Sequence, residues 1–188
     1  LGPVLASLYL SFTRFDLLSP AKWIGSENYV RMFSADPRFW QALKVTFSYM
    51  AMEVPLKLAF ALAIAVMLDK AVRAGALYRA LFYVPSLLGG SVAIAVLWRQ
   101  IFEGNGTLNQ VLLWLFGYKG PCCNATAATA IYTLVLLAVW QFGSPMVIFL
   151  AGLKQIPQDV YDAAEVDGAT PVRKFFSITL PLLTPIIF

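Results

Sequence analysis

Carboxylates and very small side chains alternate in one short stretch near the end of this 188-residue sequence. The stretch contains Asp162, Ala163, Ala164, Glu165, Asp167 and Gly168. Carboxylates accept strong hydrogen bonds from charged donors, and small residues allow another backbone to approach closely. The pattern predicts a docking surface for a second protein. A plain amphipathic linker helix is the alternative that these residues alone leave open.

Glu53 and Lys57 form a second candidate site, because they lie four residues apart in the middle of a long apolar run. An acid four residues before a base is the favourable order for pairing on a helix, and charges inside a membrane helix usually face the helix bundle or a wet cavity. Pro55 lies between them and would free a backbone carbonyl and kink the helix. Two interpretations stay open, a lining of a translocation pathway or a structural pair whose charges neutralise each other.

Trp140, Gln141 and Ser144 interrupt another apolar run, together with Phe142 and Pro145. Aromatic faces beside hydrogen-bonding groups suit a sugar, whose C–H face stacks on a ring while its hydroxyls need polar partners. Packing in a kinked helix, with Trp140 as an interfacial anchor, is the alternative.

The sequence lacks the residues of the commonest catalytic sites. It contains no His, the usual proton shuttle and the commonest metal ligand, and no phosphate-binding Gly-x-x-x-x-Gly-Lys-Ser/Thr loop. We therefore predict no catalytic site, no cofactor and no metal. If nucleotide hydrolysis powers this protein, the nucleotide must bind to another polypeptide. Cys122 and Cys123 are adjacent, about 3.8 Å apart at Cα and too close for an unstrained disulfide, which favours two unpaired loop thiols over a redox or intermolecular role.

The composition places these candidate sites in a membrane protein. Apolar residues make up 60% of the chain and charged residues 13%, with a mean hydropathy of +0.72. Runs of about 20 apolar residues can cross a bilayer. Such runs cover 42–68, 77–101 and 127–153, and partial runs cover 1–12 and 178–188. Because they lack the alternation of barrel strands, they predict an all-α polytopic membrane helical bundle, a single domain cut at both ends, in which Gly89–Ser91 lets helices pack closely.

Lys and Arg residues in the connecting loops indicate the orientation of the chain. Loops 69–79 and 154–177 carry six of them in about 35 residues, whereas loops 13–40 and 102–126 carry five in about 53. This bias places the first pair of loops in the cytoplasm. The charges form no basic stripe, so the net charge of +4 does not indicate a nucleic-acid partner.

Local capping signals predict that residues Gln158–Ser177 form a helix–turn–helix at the membrane surface, which we call the elbow. Pro157 suits the first position of a short helix, and Gly168 is a natural residue to end it. Thr170 can cap a second helix and Pro171 fits its first turn. This second helix leads into the last apolar run.

The elbow resembles a known motif. Its Asp162-Ala163-Ala164, Gly168-Ala169, Phe176, Ile178 and Leu180-Pro181 are similar to the EAA loop of ABC importer permeases. Asp162 stands where the family has Glu, which keeps the charge and shortens its reach. The resemblance implies a coupling helix that seats in a cleft of a cytoplasmic ATPase. It assigns that contact to Tyr161, Asp162, Ala163, Ala164, Glu165, Asp167, Gly168 and Ala169.

The resemblance extends over nearly the whole chain. Segments 25–29, 37–40, 79–85 and 149–157 look like the carbohydrate-uptake branch, which includes the maltose and glycerol-3-phosphate type permeases. It implies a type I ABC importer permease fold with six spans, so that most of the first, most of the fifth and all of the sixth would lie outside this sequence.

The resemblance also implies a function and partners. The function is inward transport of a sugar or polyol-type solute by alternating access, as a non-enzymatic subunit in a bacterial or archaeal cytoplasmic (inner) membrane. The partners are a dimer of ABC ATPase subunits, a second and paralogous permease, the lipid bilayer, and an extracytoplasmic solute-binding protein that docks on loops 13–40 and 102–126. The alternatives are a different small solute, a secondary transporter, which would need coupling-ion residues and inverted repeats, or an intramembrane enzyme built on Glu53 and Lys57.

Overall fold

The computed structural model describes residues 1–16, 18–69, 75–117 and 127–187. Cys122 and Cys123, for which we predicted unpaired loop thiols, lie outside the described residues. The chain divides into two compact units, Leu1–Ser48 and Tyr49–Phe188, and each is described by itself.

The first unit combines helices with a small two-stranded sheet. It contains helix α1 (Gly2–Ser11), strands β1 (Thr13–Arg14) and β2 (Lys22–Trp23), helix α2 (Glu27–Ser34) and the beginning of helix α3 (Pro37–Asp69). The two strands pair antiparallel, a feature that the sequence analysis did not predict. The Asn28 amide donates hydrogen bonds to the backbone carbonyls of Ser11 and Thr13, at 2.9 and 3.0 Å. This side chain therefore ties α2 to the end of α1 and to β1.

The second unit holds the rest of α3 and a series of shorter helices. They are α4 (Gly75–Leu88), α5 (Val92–Ile101), α6 (Thr107–Phe116), α7 (Ala127–Trp140), α8 (Gly143–Leu153), α9 (Gln158–Val166), α10 (Pro171–Lys174) and α11 (Leu180–Ile187). A π-helical turn, Phe175–Thr179, joins α10 to α11 and is called the π segment below.

Helix α3 is long and apolar enough to cross a membrane by itself. Its 33 residues extend about 50 Å at 1.5 Å per residue, more than the roughly 30 Å of the hydrocarbon layer. The helix continues through Pro55. Among the described residues, up to three spans are present if α4 with α5, and α7 with α8, each count as one bent span.

The apolar run 77–101 forms two helices rather than one continuous helix. Helices α4 and α5 meet at 94°, because Ser91 takes an extended conformation (φ −85°, ψ 143°) and its hydroxyl accepts a hydrogen bond from the Ile94 N–H at 3.3 Å. Gly89 does permit close packing, since a Cβ there would collide with the Gln141 side chain, whereas Gly90 has open space around it. The Gly-Gly-Ser sequence therefore breaks the helix as well as admitting a neighbour.

The core of the second unit joins the helices on either side of the elbow. It consists of Ala61, Ala65, Leu68, Phe142, Met146, Phe149, Leu150, Leu153 and Leu183. Ala61 and Ala65 lie one turn apart on the same face of α3. In α8, a Cβ at Gly152 would collide with Ile186 and lie 3.0 Å from Leu183, so α8 and α11 approach closely. The helices before and after the elbow, α8 and α11, are thus packed in one core.

Candidate functional site

The first helix of the elbow, α9, begins after a proline and next to an acid. Pro157 has φ −61° and ψ 138°, so it is the residue before the helix and not its first helical residue, which corrects the prediction for this position. Its extended ψ turns the chain into α9. Asp159 lies in the first turn, where a negative charge interacts favourably with the unpaired N–H groups of the helix.

Gly168 ends α9, as predicted. Its φ of +73° is in the left-handed region, which a residue with a Cβ adopts only at a cost. Its N–H donates to the Glu165 carbonyl at 3.0 Å, and the Ala169 N–H donates to the Ala164 carbonyl at 2.9 Å. This pair of bonds is a Schellman motif. It satisfies the last carbonyls of α9 and reverses the chain within two residues.

The second helix restarts with the predicted cap. The Thr170 hydroxyl accepts a hydrogen bond from the Arg173 N–H at 3.4 Å, and Pro171 takes the first helical position of α10. The π segment that follows was not predicted. It is marked by the Leu180 N–H, which donates to the Phe175 carbonyl five residues earlier.

Helix α9 exposes an acidic face with small residues in it. Asp162, Ala163 and Asp167 are exposed on this face, while Ala164 is half-buried. The Asp162 carboxylate accepts a hydrogen bond from the Gln158 amide at 3.0 Å, one turn earlier in the same helix. Val166 is 90% exposed, a large exposure for an apolar side chain. The face therefore combines carboxylates with an exposed apolar side chain, which suits contact with another protein.

The opposite side of α9 faces a cleft. The cleft has a volume of about 380 Å³ and is lined by Val66, Asp69, Leu153, Gln158, Tyr161, Pro171, Lys174, Phe175 and Thr179. Two side chains of α9 are bonded toward this side: the Tyr161 hydroxyl lies 2.9 Å from the Thr179 hydroxyl, and Glu165 forms an ion pair of 3.3 Å with Lys174. Tyr161, which we predicted to contact an ATPase, is thus bonded within the chain.

Glu53 and Lys57 form the ion pair that their spacing suggested. The Lys57 Nζ lies 3.4 Å from a carboxylate oxygen of Glu53, and the two side chains are 27% and 19% exposed. Both charges lie in the middle of α3, where they are partly shielded from the surroundings.

Trp140, Gln141 and Ser144 lie at the 45° bend between α7 and α8. The Ser86 hydroxyl of α4 joins the two sides of this bend. It donates to the Gln141 carbonyl at 3.1 Å and accepts from the Ser144 N–H at 3.1 Å. The Gln141 side chain also packs against Gly89 at the break between α4 and α5. Two interrupted helices therefore meet at one polar junction.

Trp140 takes part in packing at this junction. Its ring centroid is 5.6 Å from that of Trp98 in α5, and the Trp98 indole N–H donates to the Thr133 carbonyl at 3.1 Å. The sequence analysis did not select Ser86 or Trp98. The available signal was the Gly89–Ser91 interruption, because paired interruptions in two apolar runs are typical of binding sites in transporters.

Metal ligands do not cluster in the part of the chain that the structure describes. No three His, Cys, Asp or Glu side chains there lie close enough to hold an ion.

Comparison with known proteins identifies relatives of the chain. Residues 58–188 match the family described as binding-protein-dependent transport system inner membrane component. Over 99% of this chain and 60% of the relative, the sequence is 53% identical to the probable ABC transporter permease protein YesP of Bacillus subtilis. It is 34% identical to the arabinooligosaccharides transport system permease protein AraP of Halalkalibacterium halodurans, over 98% of this chain and 58% of the relative.

A solved structure has the same fold. It is a chain of a bacterial alginate ABC transporter in complex with an alginate pentasaccharide-bound periplasmic protein, with a TM-score of 0.82 and 21% identity. The alignment covers 100% of the present chain and 62% of that chain. The present chain therefore spans about 60% of the length of the curated relatives that it matches.

Proposed function

The chain belongs to the family of binding-protein-dependent transport system inner membrane components, and we propose from this that it is the membrane-spanning permease subunit of an ABC importer. It lies in the cytoplasmic (inner) membrane of a bacterium or archaeon as a multi-pass protein. Its solute is a sugar or a polyol-type compound. The arabinooligosaccharide relative supports the sugar class.

The exposed face of α9 is the observation that carries this proposal. It presents Asp162, Ala163 and Asp167 to the surroundings, and the Schellman turn at Gly168 fixes where this surface ends. An ABC ATPase dimer receives α9, and the closure of that dimer around ATP moves the elbow. The membrane helices then switch between outward and inward access, a rigid-body change of the kind known for transporters.

The solute passes close to the polar groups that interrupt the apolar helices. The junction of Trp140, Gln141 and Ser144 supports this placement, because it combines aromatic rings with hydrogen-bonding groups at two helix breaks. The Glu53–Lys57 pair supplies a second polar position on the pathway, within α3. Charges inside a membrane helix are costly unless they face protein or water.

Two further proteins complete the importer. A solute-binding protein delivers the solute to the outer loops 13–40 and 102–126, and the periplasmic protein bound in the related alginate transporter supports such a partner. A second, paralogous permease lines the other side of the pathway. The energy comes from ATP hydrolysis on the ATPase subunits, so the chain itself is a translocation subunit and not an enzyme.

A bulky charge on the exposed face of α9 tests the coupling assignment. Ala163→Lys adds length and a positive charge without straining the helix, while Gln155→Lys adds the same side chain at an exposed position outside α9. We expect Ala163→Lys to abolish co-purification of the ATPase from membranes that express the whole complex. Membrane insertion should stay unchanged, and Gln155→Lys should behave like the parent.

Two results would contradict the proposal. In one, the Ala163→Lys complex forms and transports as well as the parental complex, which removes α9 as the ATPase contact. In the other, the permease transports its solute in vesicles from cells without the ATPase genes, which indicates a secondary transporter.

A further inference from the structure

Apolar packing contributes little to holding α9 in place. Within the described part of the chain, α9 buries none of its own residues, and the cleft of about 380 Å³ separates its inner side from Val66 and Leu153. Burial of apolar area is the usual source of stability for a short helix. A helix that transmits force must be attached by other means, and the inner side of α9 carries two polar links.

The first link is a chain of hydroxyl groups. The Thr179 hydroxyl donates to the Lys174 carbonyl at 3.5 Å. The Thr179 hydroxyl also lies 2.9 Å from the Tyr161 hydroxyl, and either hydroxyl can donate this bond. Thr179 is only 6% exposed, so water competes little for this bond. It joins the middle of α9 to the last residue of the π segment.

The second link lies at the other end of the π segment. Lys174 is 17% exposed and pairs with Glu165, but Glu165 is 75% exposed. Ion pairs with so much exposure contribute little. The hydroxyl link is therefore the stronger attachment, and the ion pair adds a restraint on rotation.

The π segment connects these links to the core. In a π turn, backbone carbonyls accept hydrogen bonds from N–H groups five residues later, and such turns often occur at functional sites. Beyond it, α11 places Leu183 in the core against α8. A displacement of α9 can therefore reach a membrane helix through Tyr161, Thr179 and the π segment, without contact across the cleft.

We propose that Tyr161 and Thr179 are positioning residues that form a latch, by which α9 and α11 move as one body during the transport cycle. The inference rests on the proposed function, because it assumes that an ATPase moves α9. It assigns to Tyr161 a role inside the chain, in addition to any contact with the ATPase. Without the latch, α9 moves into the cleft and α11 does not move with it.

Removal of single hydroxyl groups tests the latch in the complete complex of permeases and ATPase. Tyr161→Phe and Thr179→Val each delete one partner and keep the shape, Thr179→Ser keeps the hydroxyl, and Tyr132→Phe deletes an exposed tyrosine hydroxyl in α7 as a control. Amide hydrogen exchange by mass spectrometry follows α9 and the segment 175–187 with and without ATP and vanadate. This measurement needs no solute.

We expect trapping with ATP and vanadate to change exchange in both segments of the parent, of Thr179→Ser and of Tyr132→Phe. In Tyr161→Phe and Thr179→Val, the change in 175–187 should fall about fivefold while the change in α9 remains, since one net hydrogen bond is worth about that factor. The double variant should lose no more than either single variant. With arabinotriose as the transported probe, the solute moved per ATP hydrolysed should fall in parallel.

Three results overturn the latch. The first is a parental complex that hydrolyses ATP without any response in 175–187. The second is a Tyr161→Phe complex with the full parental response. The third is loss of the complex in Tyr161→Phe, which would mean that this hydroxyl serves assembly. A parental chain that never associates with the ATPase would instead overturn the proposed function itself.

Discussion

At the scale of single residues, Gly143 leaves no room for a side chain. An added Cβ would lie 2.7 Å from the Phe82 carbonyl oxygen and 2.9 Å from the Tyr83 Cα, so the backbone of α4 would have to move. We expect Gly143→Ala to lower the free energy of unfolding in detergent by about 1–3 kcal/mol, the usual cost of overpacking. Gly90→Ala is the matched control because its Cβ would meet open space. Equal stability of the two variants would contradict the close approach of α8 and α4.

Asp162 is exposed and therefore available to a partner. Asp162→Asn keeps its shape, and the Gln158 amide can still donate to the new side chain. We expect this variant to bind the ATPase more weakly by about 1 kcal/mol or less, as for other exposed charge pairs. The loss should disappear at high salt. Asp162→Glu, which restores the acid usual in the EAA loop, should bind like the parent. Binding measured at two salt concentrations checks this, and an unchanged affinity and salt slope in Asp162→Asn would contradict it.

At the scale of elements, the turn at Gly168 decides how α9 meets α10. A left-handed conformation costs an L-residue about 1–2 kcal/mol, and Asn tolerates it better than most. We expect Gly168→Val to open the Schellman turn, with roughly tenfold faster exchange of the Ala169 amide. Gly168→Asn should stay close to the parent, because a Cβ at this position has open space around it. Equal exchange in the two variants would mean that conformational strain does not fix the elbow.

Variants of the Glu53–Lys57 pair in α3 can distinguish a structural role from a role in the translocation pathway. Glu53→Gln leaves the Lys57 charge without its acidic partner. We expect the free energy of unfolding to fall by about 1–3 kcal/mol, the cost of an unsatisfied polar group, or by more because Lys57 is charged. The double variant with Lys57→Met removes both charges and should regain most of that stability. If the pair lines the pathway, the double variant folds and inserts but transports more slowly. Normal transport by the double variant would leave the pair a structural role only.

Capping chemistry made the elbow predictable, whereas tertiary contacts determined the elements that the sequence analysis missed. Gly168 and Thr170 act through bonds to residues within a few positions of themselves. Ser86, by contrast, bonds to residues 55 and 58 positions later. The bond between Tyr161 and Thr179 likewise joins residues 18 positions apart. Periodicity in a single sequence carries no signal for such contacts.

At the scale of the whole molecule, the exposed apolar side chains agree with a membrane protein. Phe47 and Leu56 of α3 are 63% and 54% exposed, and soluble monomers rarely expose large contiguous apolar patches. Composition was sufficient to predict this class, because a helix needs about 20 apolar residues to cross a bilayer and the sequence contains runs of that length. It was insufficient to predict the 94° break between α4 and α5, since a run of apolar residues has the same composition in a straight span and in a broken one.

The sidedness of the chain rests on a bias of one Lys or Arg, six against five, over loops of unequal length. We expect Val166→Cys, on α9, to react with a membrane-impermeant maleimide only in inverted vesicles. Glu103→Cys, which follows α5, should react only in spheroplasts. Both positions are exposed, and each variant serves as the control for the other. Cys122 and Cys123 are replaced by Ser beforehand, and the permease is expressed without its partners so that no ATPase covers α9. The reverse pattern would place α9 outside the cell, where no ATP is available, and would exclude the coupling role of the elbow.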